Sequence, residues 1–298
     1  MSAPHGRPKG RQPQPGAAQR RTTVTPFLGK GDGGEGAPVI FALRLARVGL
    51  HLGYGLATAA LVYPLVGRPA QLKLKQRWSR QLLGMLGVRL QAETAPLPSP
   101  TLLVANHISW LDIYVINALA PAAFVCKEDV RGWPLIGWLC ERTETVFMPR
   151  GSRRGAREAS GIVAARLRQG WQVAVFPEGT TSDGSEILPF HGALLQGAID
   201  AGCRVQPLAL RYTDEDGRPS TAAAYCGDTS LLQSLRKLAS ASGLHARLDV
   251  LPPLDGRGAE RRELAASAWR EIRNSLNRKD GPVTSVEEET PDFSLAAM

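Results

Sequence analysis

The stretch Val104-Ala-Asn-His-Ile-Ser-Trp-Leu-Asp112 constrains this chain more than any other, because an apolar run ends there and a polar cluster begins. Thr101–Ala105 is apolar and partly β-branched, and it follows the turn-prone Pro96, Pro98, Ser99 and Pro100, so it reads as a short buried strand. Ser109, with Asp112 three residues on and Ile113, Val115 and Ile116 behind it, fits a helix start with a capping box. His107 then sits at a strand-to-helix turn, at the carboxyl end of a strand, the edge where open α/β sheets bind ligands. Asp112 falls in the first helical turn, within reach of the imidazole. A neutral imidazole can take a proton from a hydroxyl when a carboxylate fixes its tautomer and steadies the imidazolium. The same residues also allow a plainer reading, in which Asp112 caps a helix and His107 satisfies its own loop. His-x4-Asp alone is too short a motif to choose between them.

The pattern after Gly87 is α/β. Candidate strands are Val88–Ala92, Thr101–Ala105, Ala123–Lys127, Thr145–Met148, Gln172–Phe176, Arg204–Arg211 and Arg247–Leu251. Helical stretches fall at Leu111–Leu119, Pro134–Arg142, Arg153–Arg168, Gly192–Ala201, Ser230–Ala241 and Gly258–Asn277. Strands alternating with helices of this length predict an α/β domain over 88–278, with a largely parallel sheet flanked by helices.

Residues 1–39 are rich in Gly, Pro, Gln and Arg and are expected to form a disordered basic tail. Val48 to Gly67 carries no formal charge and nears the ~20 residues of a spanning helix. Leu72, Leu74, Trp78, Leu82, Leu83 and Leu86 then alternate with Lys73, Lys75, Arg77 and Arg80. With Tyr63-Pro64 and Gly67-Arg68-Pro69 as the turn, 40–87 reads as a membrane-associated helical hairpin dipped into one leaflet. A spanning helix followed by an interfacial one, or a soluble core hairpin, fits the same residues. Residues 279–298 form an acidic tail expected to be disordered.

The net charge of +9 points to an anionic partner. The two tails have opposite sign, so the middle of the chain carries the excess. An anionic membrane surface suits it better than nucleic acid, for which no helix-turn-helix, zinc-ligand or aromatic-basic strand motif is present. Cys126, Cys140, Cys203 and Cys226 are scattered, with no C-x-x-C pair, so no metal site or disulfide framework is expected. Buried, inert thiols in a reducing cytoplasm are the expectation for all four.

Two further clusters end candidate strands. Phe176-Pro-Glu-Gly-Thr-Thr-Ser-Asp-Gly184 follows an apolar strand and offers Glu178, Gly179, Thr180 and Thr181 at its carboxyl end. Phe147-Met-Pro-Arg150 places a guanidinium in the same layer, suited to a phosphate or carboxylate. An ordinary turn and a solvated helix surface are the plainer readings. Val205-Gln-Pro-Leu-Ala-Leu210 reads as core strand.

Asn106-His-x4-Asp112, Phe147-x-x-Arg150, Phe176-Pro-Glu-Gly-Thr180 and Val205-x-Pro207, in that order, resemble the four blocks of the glycerolipid acyltransferase family. Its best-known members are 1-acyl-sn-glycerol-3-phosphate (lysophosphatidate) acyltransferases. The similarity runs roughly from Lys73 to Tyr212, and the order of blocks is far more specific than any single one. The resemblance implies that His107 is a general base and Asp112 its orienting partner. It implies acceptor-binding roles for Arg150, Glu178, Gly179 and Thr180, with Thr181 beside them as a further substrate-binding candidate, and a helical pair that seats the enzyme on the bilayer, expected on the cytoplasmic side of a bacterial inner membrane. The implied reaction moves a fatty acyl group from acyl-CoA or acyl carrier protein to the free hydroxyl of 1-acyl-sn-glycerol-3-phosphate, making phosphatidic acid, with no metal or prosthetic group. Two departures bear on the acceptor. The second block usually begins with Gly and has Asp before its Arg, where this chain has Glu144 and Pro149. The third block often continues with Arg, where this chain has Thr181, so lyso-ornithine lipid or another zwitterionic lysolipid is the alternative acceptor. A non-catalytic, basic membrane-binding protein is the alternative of another class.

Overall fold

The computed structural model describes residues 36–92, 97–149, 152–241 and 243–278. The second-block Arg150 lies outside them, as do the expected tails apart from residues 36–39, which open the first helix. Helix α1 (Gly36–Ala57) continues through a π turn and a 3-10 turn to Leu65, and α2 (Arg68–Met85) returns from it. Strands β1 (Val88–Ala92) and β2 (Thr101–Ala105) follow, then α3 (Asp112–Leu119), β3 (Ala123–Lys127), α4 (Ile136–Arg142) and β4 (Val146–Met148). The chain proceeds through α5 (Arg153–Arg168), β5 (Gln172–Val175), α6 (Gln196–Ala201) and β6 (Arg204–Thr213). It closes with α7 (Leu231–Ser240), β7 (Leu244–Val250), β8 (Leu254–Asp255) and α8 (Arg261–Asn277).

The sheet order is β1-β7-β6-β2-β5-β3-β4, with β8 paired to β6. β2 is central, parallel to β5 on one side and β6 on the other. β3 extends the parallel part to β4. The sheet is mixed rather than uniform, because β7 and β8 run antiparallel to β6. That reversal explains why β7 starts at Leu244 rather than at the expected Arg247. His245 and Ala246 are recruited into the ladder by β6, which itself runs two residues past the expected Arg211, to Thr213.

All five β2 residues are buried, and their alternation splits the core between the two faces of the sheet. Leu103 and Ala105 pack with Leu83 of α2, Val115 and Ile116 of α3, and Leu238 of α7. Leu102 and Val104 pack with Val163 and Leu167 of α5, Ala198 of α6, and Ala268 and Ile272 of α8. A strand buried on both faces between parallel neighbours reads as a continuous apolar run for this reason. Helix α6 begins at Gln196, four residues after the expected Gly192; the intervening Gly192-Ala-Leu-Leu195 forms turns. The ends of α7 and α8 follow from capping: Ser230 and Gln233 form a capping box, and Glu260 accepts from the Arg262 and Glu263 N–H groups.

The basic residues of α2 do not all face outward as its amphipathic pattern suggests. Lys75 Nζ donates to the Ala122 and Thr143 carbonyls, both at 3.1 Å. Gln76 Nε2 reaches the carbonyls of Ala118 and Leu119, and Arg80 Nε reaches Ala118. The Ala118, Leu119 and Thr143 carbonyls lie at the C-terminal ends of α3 and α4, where last-turn carbonyls have no intrahelical donors and carry partial negative charge, and Ala122 directly precedes β3. Burial of the Lys75 ammonium lowers its pKa to about 8. Lys73 and Arg77 remain exposed. Glu144, where the family usually has Gly, has a φ of 69°, in the left-handed region that favours glycine. Its carboxylate pairs with Arg68 at 3.1 Å, tying the start of α2 to the α/β domain.

Helix α1 packs on α2 through a reciprocal pair. The Trp78 indole donates to the His51 carbonyl at 3.1 Å, and the His51 ring stacks on the Trp78 ring at 4.7 Å. The rest of the α1 segment is open: Leu50, Leu61 and Leu65 are 77%, 69% and 84% exposed. Leu45–Leu65 is long and apolar enough to cross a membrane. Of the four cysteines, only Cys203 is buried; Cys126, Cys140 and Cys226 are half-buried, correcting the expectation of four buried thiols.

Candidate active site

The site lies at the carboxyl edge of β2 and β5, where two loops are cross-linked through backbone groups. His107 leaves β2 and its Nδ1 lies 2.8 Å from Asp112 Oδ2. The same oxygen accepts the Ile108 and Ser109 N–H groups at 2.7 and 2.9 Å. Its partner Oδ1 accepts the Tyr212 hydroxyl at 2.8 Å. Every contact to Asp112 is from a donor, as an ionised carboxylate requires, so His107 carries its proton on Nδ1 and presents the Nε2 lone pair. Nε2 makes no hydrogen bond among the described residues. The His107 side chain is 18% exposed and that of Asp112 is fully buried.

Only half of the expected capping box forms. Asp112 reaches back to the Ser109 N–H, but Ser109 Oγ accepts from Leu111 rather than from Asp112. The carboxylate thus both closes the turn and orients the imidazole, so the structural and catalytic readings of Asp112 describe one arrangement.

Glu178 and the loop around it grip His107 from the other side. Glu178 Oε1 accepts the His107 N–H at 2.7 Å, and Oε2 accepts the Leu188 N–H at 2.9 Å. Burial pushes the Glu178 carboxyl above its ordinary pKa, opposed by these two N–H bonds. The Ser182 N–H donates to the His107 carbonyl at 2.9 Å, completing the bracket. Gly179 has a φ of 72°, which turns the chain out of β5 at the tight bend after Pro177. Gly179 and Thr180 are exposed at the mouth of the site. Thr181 Oγ1 donates to the Tyr225 carbonyl at 2.5 Å, and the Tyr225 N–H donates to the Ile108 carbonyl at 3.0 Å.

The structure thus brings His107, Asp112, Glu178, Gly179, Thr180 and Thr181 to one edge. Three contributors escape the motif reading. Phe176 stacks on the imidazole with ring centroids 3.9 Å apart. Asn106 binds both backbone groups of Leu210, and Tyr212 meets Asp112. Phe176 opens the third block and Asn106 precedes the histidine, so both carried a sequence signal. Tyr212 carried none beyond its place at the end of an apolar strand.

Comparison with known proteins agrees with this architecture. The family model described as Acyltransferase matches residues 88–211. A lyso-ornithine lipid O-acyltransferase of Pseudomonas aeruginosa is 38% identical over 240 residues, covering 78% of this chain and 92% of its own length. A 1-acyl-sn-glycerol-3-phosphate acyltransferase of Neisseria meningitidis is 37% identical over 177 residues, covering 59% of this chain and 69% of its own. The crystal structure of the 1-acyl-sn-glycerophosphate acyltransferase PlsC from Thermotoga maritima shares the fold, with a TM-score of 0.60 at 21% identity over 82% of this chain and 98% of that one. With a relative this similar along nearly its whole length, the chain belongs to the glycerolipid acyltransferase family, whose four blocks its sequence carries in order.

Proposed function

We propose that this acyltransferase moves a fatty acyl group from a thioester of coenzyme A or acyl carrier protein to the free hydroxyl of a lysolipid. The observation that carries the reading is the 2.8 Å contact between His107 Nδ1 and Asp112 Oδ2, with Nε2 turned away from it. The acceptor hydroxyl gives its proton to Nε2 as its oxygen attacks the thioester carbonyl. Asp112 steadies the imidazolium that results. The tetrahedral intermediate collapses, the carbon–sulfur bond breaks, and the leaving thiolate takes up the proton that Nε2 gives back, which restores the neutral imidazole. The products are the ester and a free thiol, so atoms and charge balance without a prosthetic group. General base catalysis of this kind supplies about 10²–10⁴-fold. Holding both amphiphiles in register at a surface supplies the larger share.

Lyso-ornithine lipid is the acceptor we favour. The Pseudomonas relative with that name is similar along 78% of this chain, and Thr181 stands where the family often has a guanidinium. The Thr181 hydroxyl is turned to the Tyr225 carbonyl, so this position offers no cation to a phosphate. The Neisseria relative supports 1-acyl-sn-glycerol-3-phosphate, giving phosphatidic acid, as the second reading. Arg150 would be the cation that serves it. The open apolar face of Leu50, Leu61 and Leu65 supports a seat in the membrane, with the basic excess of the chain toward anionic headgroups on the cytoplasmic side of a bacterial inner membrane.

The test is full-length protein in mixed micelles with labelled acyl-CoA and each lysolipid, products being identified by mass. Acylated ornithine lipid as the main product supports the first reading, and phosphatidic acid supports the second. No acylation of any lysolipid, from acyl-CoA or acyl carrier protein, would contradict both.

A further inference from the structure

We propose that Tyr212 is a positioning residue for acyl transfer, whose hydroxyl holds the far oxygen of Asp112 and so sets how strongly His107 retains a proton. The inference rests on the reading of His107 as the base. Asp112 Oδ2 is crowded by three donors, namely His107 Nδ1 and the N–H groups of Ile108 and Ser109. Oδ1 has one hydrogen-bond donor among the described residues, the Tyr212 hydroxyl at 2.8 Å. Tyr212 is 3% exposed and Asp112 is fully buried, so no bulk water competes for that contact. A buried acceptor oxygen that loses its donor is left with its desolvation cost uncompensated.

The placement of Tyr212 is built rather than incidental. The ladder between β2 and β6 ends at Ala105 paired with Leu208, because the chain must turn aside to deliver His107. The Asn106 side chain then takes over as a strand substitute, donating to the Leu210 carbonyl at 2.9 Å and accepting its N–H at 2.8 Å. That fixes Leu210 against the end of β2. Tyr212, two residues on, shares its face of β6 and pairs with Ala246 of β7 on the other side. The sheet thereby aims a phenol at the carboxylate from behind while the imidazole meets it from the front. Among the described residues, the ionisable groups around His107 are Asp112 from α3, Glu178 from the loop after β5, and Tyr212 from β6 behind Asp112. His191 lies beside Gly179, its ring 3.8 Å from where a Cβ there would stand.

A donor on Oδ1 spreads the carboxylate's charge away from the imidazole. Its removal makes Asp112 a stronger partner for the imidazolium, so His107 stays protonated to higher pH and less free base is present near neutrality.

The experiment compares wild type with Tyr212→Phe as full-length protein in micelles. The acid limb of kcat/KM should move up by about half a pH unit or more, since one unit is about 1.4 kcal/mol of differential interaction. The rate near neutrality should fall about threefold and recover above the shifted limb, with the acceptor KM within about twofold, as a loss of free base alone requires. Nitrogen NMR of histidine-labelled protein without substrate should show the His107 midpoint, assigned by its loss in His107→Gln, moving the same way. This readout stands even if no lysolipid is acylated, so failure of the proposal and failure of the acyl-transfer reading are distinguishable. Incorporation of 3-fluorotyrosine at position 212 keeps the shape, strengthens the donor, and should move both midpoints down; it also decides the matter if Tyr212→Phe does not fold. Unchanged midpoints in a folded Tyr212→Phe protein, with only a lower melting temperature, would overturn the proposal. So would an unchanged midpoint in the fluorinated protein.

Discussion

Glu178 Oε1 lies 2.7 Å from the backbone nitrogen of His107, so a third-block carboxylate holds the main chain of a first-block histidine. Its other oxygen holds Leu188. The two blocks are linked through this side chain, and the position of the imidazole depends on it.

Glu178→Gln places an amide NH₂ opposite one of these two N–H donors, which breaks one contact. Turnover should fall about ten- to a hundredfold while the acceptor KM changes by less than about twofold. Steady-state kinetics in both substrates is the check. A raised acceptor KM at unchanged turnover would instead mark Glu178 as an acceptor ligand.

Lys75 gives a pH dependence with a definite sign. Its pKa is about 8 in the folded protein against an ordinary 10.5. Between those values the unfolded chain binds more protons, so this residue's contribution to stability rises with pH. It is complete above the unfolded value and is lost as pH falls through about 8. Urea melts of wild type and Lys75→Met at about pH 7.5 and about pH 10 should therefore show wild type gaining relative to the variant at the higher pH. Parallel behaviour at both pH values would refute the burial of this ammonium between α2 and the sheet domain.

Thr181→Arg removes the hydroxyl bonded to Tyr225 and restores the guanidinium common in the family. Use of lysophosphatidate relative to lyso-ornithine lipid should rise about ten- to a hundredfold, the range of a charge-assisted bidentate contact. Competition between the two acceptors in one reaction measures the ratio directly. A ratio that stays put would separate this position from headgroup choice.

Much of the fold was legible because its signals are local. β2 reads as a buried strand from Thr101–Ala105 alone, and β1 and β3 have their expected bounds. The antiparallel return of β7 was not legible, since pairing with β6 depends on a partner some forty residues away in the chain, as with Leu210 and Leu248. The site divides the same way. His107 and Asp112 are five residues apart and announce each other, whereas Tyr212 reaches Asp112 across a hundred residues. The inward turn of Lys75 was also hidden, because only the packed structure shows that the Ala122 and Thr143 carbonyls converge on its ammonium.

Asp112→Asn sets the amide NH₂ against donors on one side or the other. Turnover should drop by about 10³–10⁴-fold, as when a base loses its tautomer control. The melting temperature should fall as well, because the Ile108 and Ser109 N–H groups share the affected oxygen. Unchanged turnover with lower stability would leave Asp112 only the turn-closing role.

The most direct test is the turnover of His107→Ala, measured with saturating acyl thioester and the preferred lysolipid in protein shown to be folded by its melting transition. Removing the base should lower kcat by at least about 10²-fold, the smaller end of what general base catalysis contributes. A folded variant that keeps more than about a tenth of wild-type turnover would contradict the assignment of His107 as the base.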